Sequence, residues 1–238
     1  MALPQLNTSP SYTTKVPSTG QDVNFRPFLV KEQKVLLIAY ESQDKAQIIK
    51  GILNTLESCI EDDIDVHSLS TFDVDYLFTQ IRGKSVGEKV DIKLKCQHCE
   101  EYNDIQVNLD EIVPPTTKES TRIVELNKDV SVQLKYPSYS LFLRNPAMLN
   151  AESNTETIME VLISCMHAVL TNNDNILLKD EPKEEVVKFL DSMTSAQFEM
   201  ITDFVEKMPA MRKEVNYTCV KCGEHNETVL SGLDDFLS

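Results

Sequence analysis

Apolar residues along this chain recur with two periods, and the alternation between them predicts the elements. Residues 12–16 and 22–25 alternate apolar and polar around Pro17-Ser18-Thr19-Gly20, a hairpin pattern closed by Pro27. Residues 28–40 predict a strongly apolar helix. Ala46, Ile48, Ile49, Ile52, Leu53, Leu56, Cys59 and Ile60 then fall at helical spacing and predict a second, amphipathic one, ended by an acidic loop over 61–65. Ser70 and Asp73 have capping-box spacing and open a third helix that presents Phe72, Tyr76 and Leu77. It is expected to run to about Arg82 and to break at Gly83 and Gly87.

After the linker-like stretch Val113-Pro114-Pro115-Thr116-Thr117 the same order returns. Residues 123–126 and 130–134 alternate around Asn127-Lys128-Asp129, a second hairpin, and Pro137 follows at an offset of 110 from Pro27. A short helix is expected near 140–143. Ser153, with Glu156 in the capping-box position, then opens a helix carrying Ile158, Val161, Leu162, Cys165, Met166, Val169 and Leu170. An amide-rich loop over 172–175 and an inserted helix over 183–191 precede Thr194-x-x-Gln197, whose helix buries Phe198, Ile201 and Val205.

The fold class expected is α+β, in two pseudo-repeated halves that each end in a cysteine hairpin. The boundaries are a flexible arm over 1–11, a first half over 12–112, a linker over 113–121 and a second half over 122–238.

The candidate chemistry is concentrated in Cys96-Gln97-His98-Cys99 and Cys219-Val220-Lys221-Cys222, each set between two strand-like runs. A strand, a C-x₂-C turn and a returning strand aim two thiolates at one point. Two such turns complete the tetrahedral Cys₄ shell that Zn²⁺ prefers, so Cys96, Cys99, Cys219 and Cys222 are the candidate ligands of one structural zinc. Two free pairs, a disulfide, or a redox pair assisted by His98 are the alternatives. The redox arrangement ordinarily sits at a strand-to-helix junction, whereas Glu100-Glu101-Tyr102-Asn103-Asp104 reads as a turn into another strand. His225 is expected at the rim rather than as a ligand. The lone Cys59 and Cys165 fall on apolar faces and read as small core residues.

Composition narrows the function classes. The 238 residues carry a net charge of −15, with 12 basic against 18 acidic residues in 1–118 and both parts acidic. A nucleic-acid role would oppose this field. The one basic concentration, Lys84, Lys89, Lys93, Lys95, Arg212, Lys213 and Lys221, lies near the cysteine turns, where cations offset the formal −2 of a Cys₄ zinc centre. A zinc-ribbon nucleic-acid or transcription adaptor is the rival this cluster keeps open, and a zinc enzyme needing an open coordination position is a further one. No apolar run reaches membrane-spanning length, and no secretory leader is expected. Paired cysteines with two lone ones suit a reducing cytoplasm. Phosphate-cradling and nucleophile-elbow motifs are missing, and Gly totals only 6.

The run Asn24-Phe25-Arg26-Pro27-Phe28-Leu29-Val30-Lys31-Glu32, leading into Val35-Leu36-Leu37, resembles T4-like bacteriophage baseplate proteins, described as baseplate hub or hub-assembly proteins of contractile-tailed phages. So do Phe72-Asp73-Val74-Asp75-Tyr76-Leu77-Phe78, Gln80-Ile81-Arg82 and Lys84-Ser85-Val86-Gly87-Glu88 ahead of the first cysteine pair. The resemblance implies a non-enzymatic virion or assembly factor, made in the bacterial host cytoplasm. Its partners would be other hub or tail proteins near the tape-measure and spike proteins, with no nucleic acid or membrane, and it is a possible oligomer. The resemblance supplies no catalytic residues.

Overall fold

The computed structural model describes residues 10–112, 121–146, 149 and 155–233. The expected arm over 1–11 lies almost wholly outside them, as do the linker, the Ser153 cap and the acidic tail beyond Leu233. Seven α-helices and four small antiparallel sheets are present among the described residues, an α+β chain. It divides into two compact units. Residues 1–66, 72–116 and 210–238 form unit 1, and residues 67–71 and 117–209 form unit 2.

Unit 1 opens with β1 (Tyr12–Lys15) and β2 (Asp22–Phe25), whose register pairs Tyr12 with Phe25 and Lys15 with Asp22. Helices α1 (Val30–Glu41) and α2 (Lys45–Cys59) follow. Helix α2 buries Ile49, Ile52, Leu53, Leu56 and Cys59, the stripe its periodicity predicts, and the Asp44 side chain caps it by accepting from the Ala46 and Gln47 N–H groups.

The centre of unit 1 is α3 (Thr71–Val86), with Phe72, Val74, Leu77, Phe78 and Ile81 all essentially solvent-free. Apolar residues on several sides make this an enclosed helix rather than an amphipathic one. Asp73 within it is also fully buried and accepts the Ser18 N–H at 2.8 Å, tying the first hairpin turn to the helix. The helix does not break at Gly83 as expected. Gly83 is buried inside the last turns, where it faces Leu109, and termination falls at Gly87, whose φ of +125° an L side chain rarely adopts. A glycine in a pattern says only that a helix is weakened there.

Arg26 fastens the end of β2 to both neighbouring helices. Its guanidinium donates to the Pro27 carbonyl at 3.0 Å, the Ser58 carbonyl at 2.7 Å and the Glu32 carboxylate at 3.0 Å. The second Glu32 oxygen accepts the Leu29 N–H at 2.9 Å, at the start of α1. Burial alone would raise the Glu32 carboxyl; Arg26 and the Leu29 amide outweigh it and hold it below the usual value.

Unit 2 contains one four-stranded antiparallel sheet in the order β5 (Thr121–Glu125), β6 (Val130–Lys135), β7 (Met166–Thr171), β8 (Asn175–Leu177). Its helices are α4 (Tyr139–Arg144), α5 (Thr155–Cys165), α6 (Lys183–Asp191) and α7 (Ser195–Glu206). Val124, Val132, Leu134, Leu162, Met166, Val169, Leu190, Ile201 and Phe204 form its core, with the Tyr136 and Phe204 rings stacked at 4.6 Å.

The expected helix from Ser153 to Leu170 ends instead at Cys165. Met166–Thr171 is a strand, so Val169, Leu170 and His167 belong to a sheet. The apolar run from Ile158 onward satisfies either period, and pairing on both edges with β6 and β8 decides for extended backbone. The capping box at Thr194 and Gln197 forms as read, and the Gln197 amide reaches across to the Leu126 carbonyl at 2.8 Å.

Two outcomes follow from this packing. Arg26→Ala and Glu32→Gln each lower stability by about 1–3 kcal/mol at pH 7, because each removes the main charged partner of a largely buried group. Without Arg26, Glu32 keeps the exposed Lys31 at 3.3 Å and the Leu29 amide. A carboxyl held low in the folded state contributes above its unfolded value and loses that contribution as pH falls through its folded one. Urea melts will therefore show the gap between wild type and Glu32→Gln closing as pH drops below about 4. Gly83→Ala is expected to stabilise by up to about 1 kcal/mol, since helix propensity favours it. Its new Cβ would meet Leu109 at 4.0 Å, an ordinary contact. Thermal denaturation will register this as a rise in Tm.

Candidate metal centre

Two hairpins of unit 1 carry the cysteines. Strand β3 (Lys89–Lys95) alternates buried Val90 and Ile92 with exposed Lys89, Asp91 and Lys93, and returns as β4 (Tyr102–Asn108). Strand β9 (Arg212–Thr218) buries Val215 and Tyr217 and returns as β10 (His225–Ser231). The two ladders have the same register. Lys95 pairs Tyr102 in one and Thr218 pairs His225 in the other, so each C-x₂-C turn is closed by six residues between the last paired positions.

The turns agree atom by atom. Cys96 N–H donates to the Glu101 carbonyl and Glu100 N–H to the Cys96 carbonyl; Cys219 N–H donates to the Glu224 carbonyl and Gly223 N–H to the Cys219 carbonyl. Glu100 and Gly223 occupy equivalent positions with φ of 62° and 75°. Only Gly adopts that region without steric cost, so the first turn holds an L residue where the second does not. Backbone amides point at the sulfurs in both: those of His98 and Cys99 at Cys96, and those of Lys221 and Cys222 at Cys219.

These turns bring Cys96, Cys99, Cys219 and Cys222 together, with all four sulfurs within 4.8 Å of one another. Cys96 and Cys222 approach to 3.7 Å and Cys99 and Cys219 to 3.6 Å. A tetrahedral thiolate shell with metal–sulfur bonds of about 2.3 Å has edges of about 3.8 Å, so the spacing fits one four-coordinate ion. Cys96 and Cys219 are held below the ordinary thiol value and Cys99 and Cys222 above it. The amides of Cys222 and Lys221 pull Cys219 down to about 6, despite its burial. At Cys222, an exposed residue, the Glu224 amide favours the thiolate, but local desolvation and the three neighbouring sulfurs push it up to about 12. A bound cation would replace the thiol protons and offset the mutual repulsion of the four sulfurs.

The other candidates fall elsewhere. His225 is exposed, 3.8 Å from Glu227, and not among the grouped ligands; His98 is exposed. Cys59 and Cys165 are fully buried core thiols, each pushed up to about 11 chiefly by desolvation, and are inert. Four of the seven residues in the basic cluster form ion pairs. Lys84 meets Glu88 and Asp110, Lys95 meets Glu100 at 3.1 Å, Lys213 meets Glu111 at 2.6 Å and Lys221 meets Glu101 at 2.7 Å.

Sequence reading missed two residues at this centre. Asn103 and Asn226 are each 1% exposed and bridge the two turns. Asn103 Oδ1 accepts the Val220 N–H at 2.9 Å, and Asn226 Oδ1 accepts the Gln97 N–H at 2.9 Å. The signal was present: an Asn four residues after each pair, on the inward face of the returning strand, where the following inward positions are Ile105 and Val107 in one hairpin and Thr228 and Leu230 in the other. A polar residue at an inward position needs a partner.

No curated protein and no solved structure matches this chain. Among the described residues no helix is long and apolar enough to cross a membrane. A family profile described as T4 bacteriophage base plate protein matches residues 9–238, nearly the entire sequence, and therefore covers both cysteine hairpins and both compact units. The chain belongs to the T4 bacteriophage base plate protein family.

Proposed function

We propose that this protein is a non-enzymatic structural or assembly component of a phage tail baseplate hub, built around one structural zinc held by Cys96, Cys99, Cys219 and Cys222. The observation that carries the baseplate role is the family match over residues 9–238. The zinc rests on four sulfurs at tetrahedral spacing with amides directed at them. All four positions are filled by protein, which leaves none open for substrate and favours a structural ion. The protein is made in the host cytoplasm and its partners are other hub or tail proteins, the tape-measure protein among them.

Helix α1 supports a role exercised through contacts. Leu37 and Ile38 are 54% and 65% exposed, and Val30, on the same side, is 64% exposed. A helix burying only Glu32, Leu36 and Ala39 leaves a broad apolar face, the kind of surface that marks a protein-binding site.

The sequence halves are units of an ancient tandem duplication in this reading, with 12–112 and 122–238 as the copies and 113–121 as the join. What favours it is that each half opens with a hairpin, continues in helices and ends in a cysteine hairpin. The last is offset by 123 residues at identical register, although β7, β8 and α6 interrupt the second copy.

Metal analysis of the purified protein is expected to give one zinc per chain. Cys99→Ser or Cys219→Ser will abolish it and lower stability by several kcal/mol, since metal binding and folding share free energy on the order of 10 kcal/mol. One zinc retained by both variants would sink the Cys₄ assignment. The double variant Leu37→Asp/Ile38→Asp is expected to keep its own stability within about 0.5 kcal/mol, both sites being exposed. Cross-linking in infected cells will then show it losing the neighbouring tail proteins that wild type captures.

A further inference from the structure

The reciprocity of Asn103 and Asn226 carries one more step. Each side chain does the same two things. Asn103 Nδ2 donates to the Glu101 carbonyl of its own turn at 3.0 Å, while its Oδ1 accepts an amide from the opposite turn. Asn226 Nδ2 donates to the Glu224 carbonyl of its own turn at 3.0 Å, while its Oδ1 accepts Gln97 N–H. Each therefore braces its own loop and grips the residue following the first cysteine of the other. Two more bonds join the hairpins away from the sulfurs: Tyr217 Oη donates to the Lys95 carbonyl at 3.0 Å, and Gln97 Nε2 to the Glu227 carbonyl at 3.0 Å.

We propose that Asn103 and Asn226 form a two-way clamp that docks the cysteine turns before any metal arrives, so that the four-sulfur cluster is a pre-assembled site. These four hydrogen bonds use no thiolate and no ion. In the interior a satisfied amide pair is worth far more than an exposed one, and leaving Val220 or Gln97 N–H unpaired there costs free energy comparable to a lost bond. The metal then meets ligands whose geometry is already set, which is what an outer layer of hydrogen bonds does for an inner one. Asn103 adds a direct influence, because its Nδ2 also donates to the Cys219 sulfur at 3.8 Å. The two asparagines are positioning residues, and the consequence for metal affinity rests on the zinc reading above.

The test uses the full chain, stripped of metal by a chelator and then titrated with Zn²⁺, with amide hydrogen exchange read residue by residue. In metal-free wild type the Val220 and Gln97 amides are expected to be protected. Asn103→Ala should lose protection at Val220 and Asn226→Ala at Gln97, each with zinc affinity about 10–100-fold weaker. Asn103→Asp, which keeps the acceptor oxygen, should restore protection at Val220. The proposal is overturned if both amides exchange freely in the metal-free protein, if stripping the metal unfolds unit 1, or if the alanine variants weaken zinc without touching the two amides. Should wild type take up no zinc, the metal reading fails, and the amide protection still decides the clamp.

Discussion

Four sulfur atoms from turns 119 residues apart must reach the same few ångströms, and that requirement governs how unit 1 is built. Each pair of thiols is aimed by a hairpin whose register is fixed by alternation: Val90 and Ile92 inward on one, Val215 and Tyr217 inward on the other. A slip of one residue in either ladder would turn those side chains outward and swing the cysteines away from each other. The apolar face of the strands and the polar chemistry of the turns are one constraint, not two.

Around that point the charges follow the sulfurs. Lys221 lies close enough to Cys99 and Cys219 for their thiolates to favour its charged form, alongside its stronger pairing with Glu101. Lys84 pairs with Glu88 and Asp110, Lys95 with Glu100 and Lys213 with Glu111. In a chain of net −15, part of its basic complement thus lies beside the four sulfurs.

Much of this was legible in residue order. The C-x₂-C spacing, the hairpin alternation, the α2 stripe and the Thr194–Gln197 cap are short-range signals, and they appear in the structure at the residues that carry them. What escaped is non-local. Nothing near Val169 distinguishes a helix from a strand until β6 and β8 pair with it, and nothing near Gly83 shows that it lies against Leu109 inside a helix. Asn103 and Asn226 were hidden for the same reason: their partners are amides 117 and 129 residues away. Nor does a linear repeat reveal that residues 210–238 group with 1–66 and 72–116 rather than with the segment just before them.

That last grouping bears on how the molecule comes into being. A ribosome releases the first cysteine hairpin long before the second, so the early segment must wait, half-finished, while nearly a hundred intervening residues emerge and fold into a unit of their own. Contacts spanning such separations are slow to form, because loop closure has to precede any gain from them. A fragment cut short before Arg212 lacks two of the four clustered sulfurs and both strands that present them. Completion of the cluster therefore waits on the segment from Arg212 onward, which supplies its second pair of sulfurs to unit 1.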